Sequence, residues 1–165
     1  MRILGIDPGL ATLGFGVIDQ QNNQLQMVDF GCIQTTPNIS FPQRIFQVYQ
    51  QLTNILVNYL PDVVVVEELF FSKNVKTAIQ VGQVRGVVIL AAIQNGHEVK
   101  EYTPLQVKLS VVGYGRATKD QIQKMVKVLL KLPQIPKPDD AADALAVAIC
   151  YAHSRKFDEL IQGMK

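Results

Sequence analysis

Four carboxylates carry the clearest chemical potential in this 165-residue chain: Asp7, Glu67, Asp140 and Asp143. Asp7 ends an apolar segment and precedes Pro8 and Gly9. An aspartate in that setting can serve as a simple turn residue, accepting from nearby N–H groups. Glu67 ends a run of four valines, Val63 to Val66. A carboxylate there suffers desolvation unless it lies at the carboxyl edge of the sheet, where ligands of α/β sheets collect. Strand alternation sends its neighbour Glu68 to the other face. Asp140 and Asp143 flank two alanines, and a spacing of three puts both on one helical face. Each taken singly is also what a helix N-terminus prefers, and Asp139, beside Pro138, reads as the pure cap.

Together these residues point to different chemistry. Converging carboxylates repel one another unless a cation neutralises them, and oxygen-only ligands favour a hard ion, Mg²⁺ or Mn²⁺. Two such ions ~3.5–4 Å apart can activate water and stabilise the leaving oxygen of a phosphodiester. The charge distribution suits a polyanion. Net charge is only +2, but residues 73–137 hold eleven basic and three acidic residues. Residues 1–72 hold two basic and six acidic, and residues 138–165 three basic and five acidic. A basic middle between acidic ends can set a phosphate-attracting surface beside a carboxylate cluster.

The elements that must position these groups follow from periodicity and turn signals. Residues 2–6, 13–19 and 25–35 read as three strands of an antiparallel meander. A helix follows from Phe41 to Pro61, with Pro42 in its first turn. The valine run lacks alternation and is expected in the middle of a sheet, buried on both faces. Residues 75–94 read as a helix carrying Gly82 and Gly86 on one face, where another backbone can come close. Residues 98–102 form a short strand, and Thr103-Pro104 starts a helix. Thr118 to Gln121 fits a capping box, opening a helix with Ile122, Met125, Val126 and Leu129 on one face and Lys124, Lys127 and Lys131 on a solvated one. A last helix runs from Asp139 to His153. The order implies an α/β or α+β fold with a mixed sheet covered on both faces.

Size and composition exclude several classes. The chain is 48% hydrophobic and 18% charged, and its length suits a single domain, 1–165. No apolar run approaches the ~20 residues of a membrane span. Asp7, Pro8 and Gly9 interrupt the N-terminus before a leader could form. Cys32 and Cys150 are 118 positions apart and read as free buried thiols of a reducing cytosol. His97 and His153 are isolated, so neither a zinc site nor a Ser/His/Asp triad is supported.

GIDPG (5–9) with GFGVID (14–19), VVEELFFSKN (65–74), GQVRGV (82–87), QVKLSVVGYGRATKDQIQKMV (106–126), LLKLP (129–133) and DAADALAVAI (140–149) occur in one order. In this set, over nearly the whole chain, the sequence resembles the bacterial RuvC family of Holliday-junction resolvases. The resemblance implies a ribonuclease H-like fold, with a mixed five-stranded sheet flanked by helices on both faces. It implies a cytoplasmic homodimer that makes paired symmetric nicks in a four-way DNA junction, leaving 5′-phosphate and 3′-hydroxyl ends, alongside the branch-migration proteins RuvA and RuvB. By motif, Asp7, Glu67, Asp140 and Asp143 match the catalytic, metal-binding carboxylates, with two Mg²⁺ expected and Mn²⁺ able to substitute. Phe70 matches an aromatic residue that stacks on an unpaired junction base, and Lys108 and Lys119 match DNA-binding basic positions. The helix with Gly82, Arg85 and Gly86 is the expected dimer contact. Another ribonuclease H-like nuclease, or a non-catalytic junction-binding module, is the competing reading. An actin-like ATPase would need a second such domain.

Overall fold

The computed structural model describes residues 1–22, 24–69 and 75–163, with side chains through Arg155. Three strands open the chain, β1 (Arg2–Asp7), β2 (Thr12–Gln21) and β3 (Gln24–Gln34), followed by α1 (Phe41–Tyr59) and β4 (Val63–Glu67). Then come α2 (Val75–Gln94), β5 (Glu98–Tyr102), α3 (Pro104–Val112), α4 (Lys119–Leu129) and α5 (Asp139–Gly163). The sheet order is β3-β2-β1-β4-β5. The meander pairs antiparallel, whereas β4 joins β1 and β5 in parallel. The valine strand is therefore internal, as its lack of alternation predicts.

Alternation along the strands divides the core in two. Ile3, Ile18, Val63 and Val65 face α3, α4 and α5, while Leu4, Ile6, Val64 and Val66 face α1 and α2. The four valines are at most 1% exposed, and full burial of each is worth about 1.5–3 kcal/mol. A wide stretch on β1 and β2 carries no side chain towards α5. A Cβ on Gly5 would lie 2.2 Å from the Ala144 carbonyl oxygen, and one on Gly14 would lie 2.0 Å from that of Asp140. Glycines below and buried alanines above (Ala141, Ala144 and Ala148) let α5 settle almost onto the sheet backbone.

Helix starts follow the local signals. In α3 and α4, Thr103 and Thr118 accept from the N–H of Gln106 and Gln121, whose side chains accept in return from the threonine N–H. Two expectations need correction. The last helix continues past His153 to Gly163. Lys131 lies beyond the end of α4 in a left-handed turn (φ 53°), off the helix face that holds Lys124 and Lys127.

Helix α2 also qualifies the sequence reading of membrane spans. It is the one described helix long and apolar enough to cross a membrane by length and composition. Its inner face, Val84, Val88, Ala91 and Ala92, packs on the sheet, while Ile79, Leu90 and Ile93 are more than half exposed.

Candidate active site

Register and alternation bring the strand carboxylates together. Ile6 of β1 pairs in parallel with Val66 of β4, so Asp7 and Glu67, one residue further on, end adjacent strands at the carboxyl edge of the sheet. Both follow residues that face α1 and α2, and both therefore project towards α5. On α5, Asp140 and Asp143 stand in the first turns, with the Asp140 carbonyl held directly over Gly14, the β2 partner of Asp7. The chain thus needs both devices, strand register and a glycine-lined seat for α5, to collect four acids from residues 133 or more positions apart at the extremes of the set.

The electrostatics show that they sense each other. Burial pushes the Asp7 carboxyl up to about 7, helped by the charges of Glu67, Asp143 and Asp140 and opposed by Lys119. Burial also pushes Glu67 up to about 7, with Asp143 adding to the rise and Lys108 and Lys119 opposing it. Asp143 is raised by burial against the pull of Lys119.

The basic residues flank this cluster on the α3–α4 side. Lys119 is the first residue of α4; its Nζ lies 2.8 Å from Asp143 Oδ2 and 3.8 Å from Asp139 Oδ2. Hydrogen bonding to Asp143 raises the Lys119 ammonium above its ordinary range. A cavity of about 200 Å³ is lined by Glu67, Asp143, Lys108 and Lys119 over an apolar floor that includes Val107 and Ile122. Asp140 instead borders a separate cleft with Gly9, Thr12 and Arg44.

Asp7, Glu67, Asp143, Lys108 and Lys119 share one neighbourhood, and Asp140 sits at its other rim. Phe70 lies outside the described residues. Asp139 is more than a cap: besides Lys119 it pairs with Lys137, 2.6 Å away. Lys124 pairs with Asp120 along the exposed surface of α4, as a solvated lysine should. Cys32 and Cys150 are free thiols pushed up to about 11, chiefly by burial; Cys150 is buried as expected, whereas Cys32 is only half-buried, on the sheet strand β3. Sequence reading missed the seat of α5, although its signal was present. Gly14 and Gly16 alternate on β2, Gly5 lies on β1, and alanines recur through the last helix.

The donor set fits a hard divalent cation. It consists of carboxylate oxygens alone, and two of the carboxyls, Asp7 and Glu67, are pushed up to about 7 chiefly by burial and further by neighbouring acids, a penalty on their charged forms that such an ion would relieve. Among the described residues, no three acidic, histidine or cysteine side chains are gathered around one ion position. Lys119 supplies the compensating charge at Asp143 instead.

A mixed five-stranded sheet in the order β3-β2-β1-β4-β5, with helices on both faces and acids at the carboxyl ends of its central strands, defines an α/β protein of the ribonuclease H-like fold class. Comparison narrows this. The family profile for Crossover junction endodeoxyribonuclease RuvC matches residues 3–151, and the chain belongs to that family. A relative of that description from Alkaliphilus oremlandii is 55% identical over 162 residues, covering 98% of this chain and 99% of its own. The Thermus thermophilus RuvC in complex with Holliday junction substrate superposes with a TM-score of 0.91 at 33% identity, covering 96% of each chain. The yeast mitochondrial Holliday junction resolvase Ydc2 shares the fold, with a TM-score of 0.66 at 14% identity over 96% of this chain and 85% of its own. The family is one of metal-dependent nucleases.

Proposed function

We propose that this chain is a Holliday-junction-resolving endonuclease that hydrolyses phosphodiesters in paired, symmetric nicks of a four-way DNA junction. The observation that carries the reading is the convergence of Asp7, Glu67 and Asp143 beside Lys119 at the carboxyl edge of the sheet, in a chain of this family. Residues 1–165 act as one ribonuclease H-like nuclease domain in this reading.

The roles divide as follows. Asp7, Glu67, Asp140 and Asp143 are the catalytic, metal-holding carboxylates, with Mg²⁺ as the physiological ion, two per site, and Mn²⁺ as a substitute. Bound ions of this kind would activate the attacking water and neutralise charge on the leaving 3′ oxygen. The chain's own residues do the rest. Asp7 and Glu67, fixed by strand register, give the site a rigid base, and α5 sets Asp140 and Asp143 against it. Lys119 is tethered to Asp143 and reaches over the shared cavity, where its ammonium meets the negative charge that builds on the phosphate. Lys108, on the same cavity, attracts the strand, and Phe70 stacks on an unpaired base at the crossover. Asp139 holds the opposite side of Lys119 and takes no part in the chemistry.

The active species is a homodimer, because two identical sites related by a twofold axis match the symmetry of a four-way junction. The outer stripe of α2 is the dimer contact. Ile79, Leu90 and Ile93 are exposed there, and a Cβ on Gly86 would meet nothing within 4 Å, leaving room for a close partner. Arg85 is not part of that stripe; it turns inward to pair with Glu101. RuvA and RuvB are the expected partners, and the DNA substrate and free thiols assign the protein to a reducing cytoplasm.

A synthetic four-way junction and a linear duplex of the same sequence, each with Mg²⁺ and with EDTA, test the reading. Paired, ligatable nicks in the junction alone, abolished by EDTA, are expected. Equal cutting of both substrates would replace it with a general ribonuclease H-like nuclease. Junction binding without cutting under any divalent ion would leave a binding module.

A further inference from the structure

A cleft of about 420 Å³ opens on the side of Asp140 away from the lysine-lined cavity. Besides Asp140 of α5, its walls come from three elements. The β1–β2 hairpin gives Leu10 and Thr12, α1 gives Arg44, and the early turns of α2 give Gln80. Among the described residues Arg44 is its one basic lining residue, and Asp140, at the rim, its one acidic one.

Arg44 is held in a built position. Its Nε donates to Thr35 Oγ1 at 2.8 Å, and its Nη2 donates to the Leu10 carbonyl at 3.4 Å. Thr35, itself buried, donates its hydroxyl to the same carbonyl. Among the described residues these bonds engage Nε and Nη2 and leave Nη1 without a protein acceptor. A guanidinium anchored along one edge, with donors remaining in a neutral cleft, is suited to a tetrahedral oxyanion.

The position gives the cleft a purpose. A DNA strand crossing four carboxylates is repelled wherever no cation offsets them. On the α3–α4 side Lys108 and Lys119 supply that offset; in the cleft on the Asp140 side Arg44 does, among the described residues. We propose that the Arg44 cleft is a phosphate subsite for the strand being cut, in which Arg44 Nη1, with Thr12 and Gln80 beside it, grips a phosphodiester flanking the scissile one. This inference rests on the junction-cutting reading and deepens it: the cut strand is clamped on both sides of the acids, so that its scissile phosphate is presented in one register.

The test combines variants with single neutral methylphosphonates placed along each strand of the junction, binding being measured in EDTA. Arg44→Gln is expected to weaken junction binding roughly tenfold, as loss of one charge-assisted contact does. It should also lower the slope of log K against log salt by about 0.7–0.9, the value of one phosphate. One methylphosphonate position on the cut strand should weaken the wild type by the same factor and leave Arg44→Gln unchanged. Non-additivity at a position on an uncut strand, or at none, overturns the proposal. Should Arg44→Gln fold poorly, Gln80→Glu introduces repulsion into the cleft without touching the Arg44 anchors. It is expected to weaken binding far more than Gln50→Glu, the same charge change at an exposed site on α1. Equal effects of the two overturn the proposal. A wild type that binds junction no better than duplex defeats the junction reading itself and this inference with it; a wild type that cuts junctions while Arg44→Gln keeps its affinity and salt slope defeats this inference alone.

Discussion

Beneath α5, the sheet offers Gly5, Gly14 and Gly16, and the helix answers with alanines at backbone contact. On the opposite face, Leu4, Ile6, Val64 and Val66 interdigitate with Val48, Leu52, Leu56, Val84 and Val88 of α1 and α2. The first face uses small residues to fix where a helix lies; the second uses branched side chains to fill volume. The difference accounts for where function can sit. A helix seated on backbone has little freedom to slide, so Asp140 and Asp143 arrive at Asp7 and Glu67 with a defined offset. The face packed through side chains tolerates repacking, and its outermost helix keeps an exposed apolar stripe, Ile79, Leu90 and Ile93.

The comparison breaks most severely if the acids on the glycine face are dispensable. Asp7→Asn, Glu67→Gln and Asp143→Asn are each expected to reduce junction cutting by at least roughly 10²–10³-fold, the range for loss of a residue that stabilises charge in the transition state. Junction binding in gel-shift assays should survive. Glu68→Gln, one residue further along and directed to the other face, should keep most of the activity. If Glu68→Gln abolished cutting and Glu67→Gln did not, the assignment of the site to the α5 face would fail.

Two glycine substitutions compare the faces directly. Gly14→Ala forces a Cβ to within 2.0 Å of a backbone oxygen of α5, so the helix must move. A stability loss of about 1–3 kcal/mol is expected in urea unfolding, with activity falling further than stability because Asp140 moves with its carbonyl. Gly86→Ala meets nothing within 4 Å. In the isolated subunit it should gain up to about 1 kcal/mol of helix propensity, while crowding any partner packed on α2. Equal destabilisation by the two substitutions would remove the distinction between the faces.

The α2 stripe gives a smaller and separable effect. Leu90→Lys should leave the fold intact, since Leu90 is 52% exposed, and should shift sedimentation from dimer to monomer. Paired nicking would then uncouple into independent single nicks. A dimer that persists with Leu90→Lys would mean that the interface lies elsewhere.

Much of this was legible in the sequence because local rules and tertiary needs agree. The valine run, the two Thr-x-x-Gln boxes and Pro42 each specify their element without outside help. Glu67 stood out as a candidate, since a carboxylate after four valines conflicts with burial and calls for a reason; Asp7, Asp140 and Asp143 taken singly read as turn or cap residues and pointed to a site only together. What periodicity could not give was depth. Gly14 and Gly16 look like turn or bulge residues in a strand until the helix that rests on them is known, and that helix begins 123 residues later than Gly16. Arg44 was invisible for a similar reason: on its helix it is one polar residue among several, and only folding brings Thr35 and Leu10 to its guanidinium. Asp139 read as a cap because its partner Lys119 lies on another helix.

The mildest prediction concerns stability without divalent ions. The folded-state pKa of Asp7 is raised from 3.8 to about 7 and that of Glu67 from 4.5 to about 7. Between pH ~4 and ~7 the folded protein therefore holds more protons than the unfolded chain, and linkage makes stability fall as pH rises through that window. In EDTA the Tm should decrease from pH 5 to pH 8. Asp7→Asn should flatten the decline, since it removes the most heavily penalised charge from the α5 face. Mg²⁺ should restore more of the Tm at pH 8 than at pH 5, where it competes with bound protons. A Tm that rises or stays level across the window in EDTA would show that the acids do not repel one another at the glycine-seated face, and that α5 holds them further apart than their burial and mutual charge require.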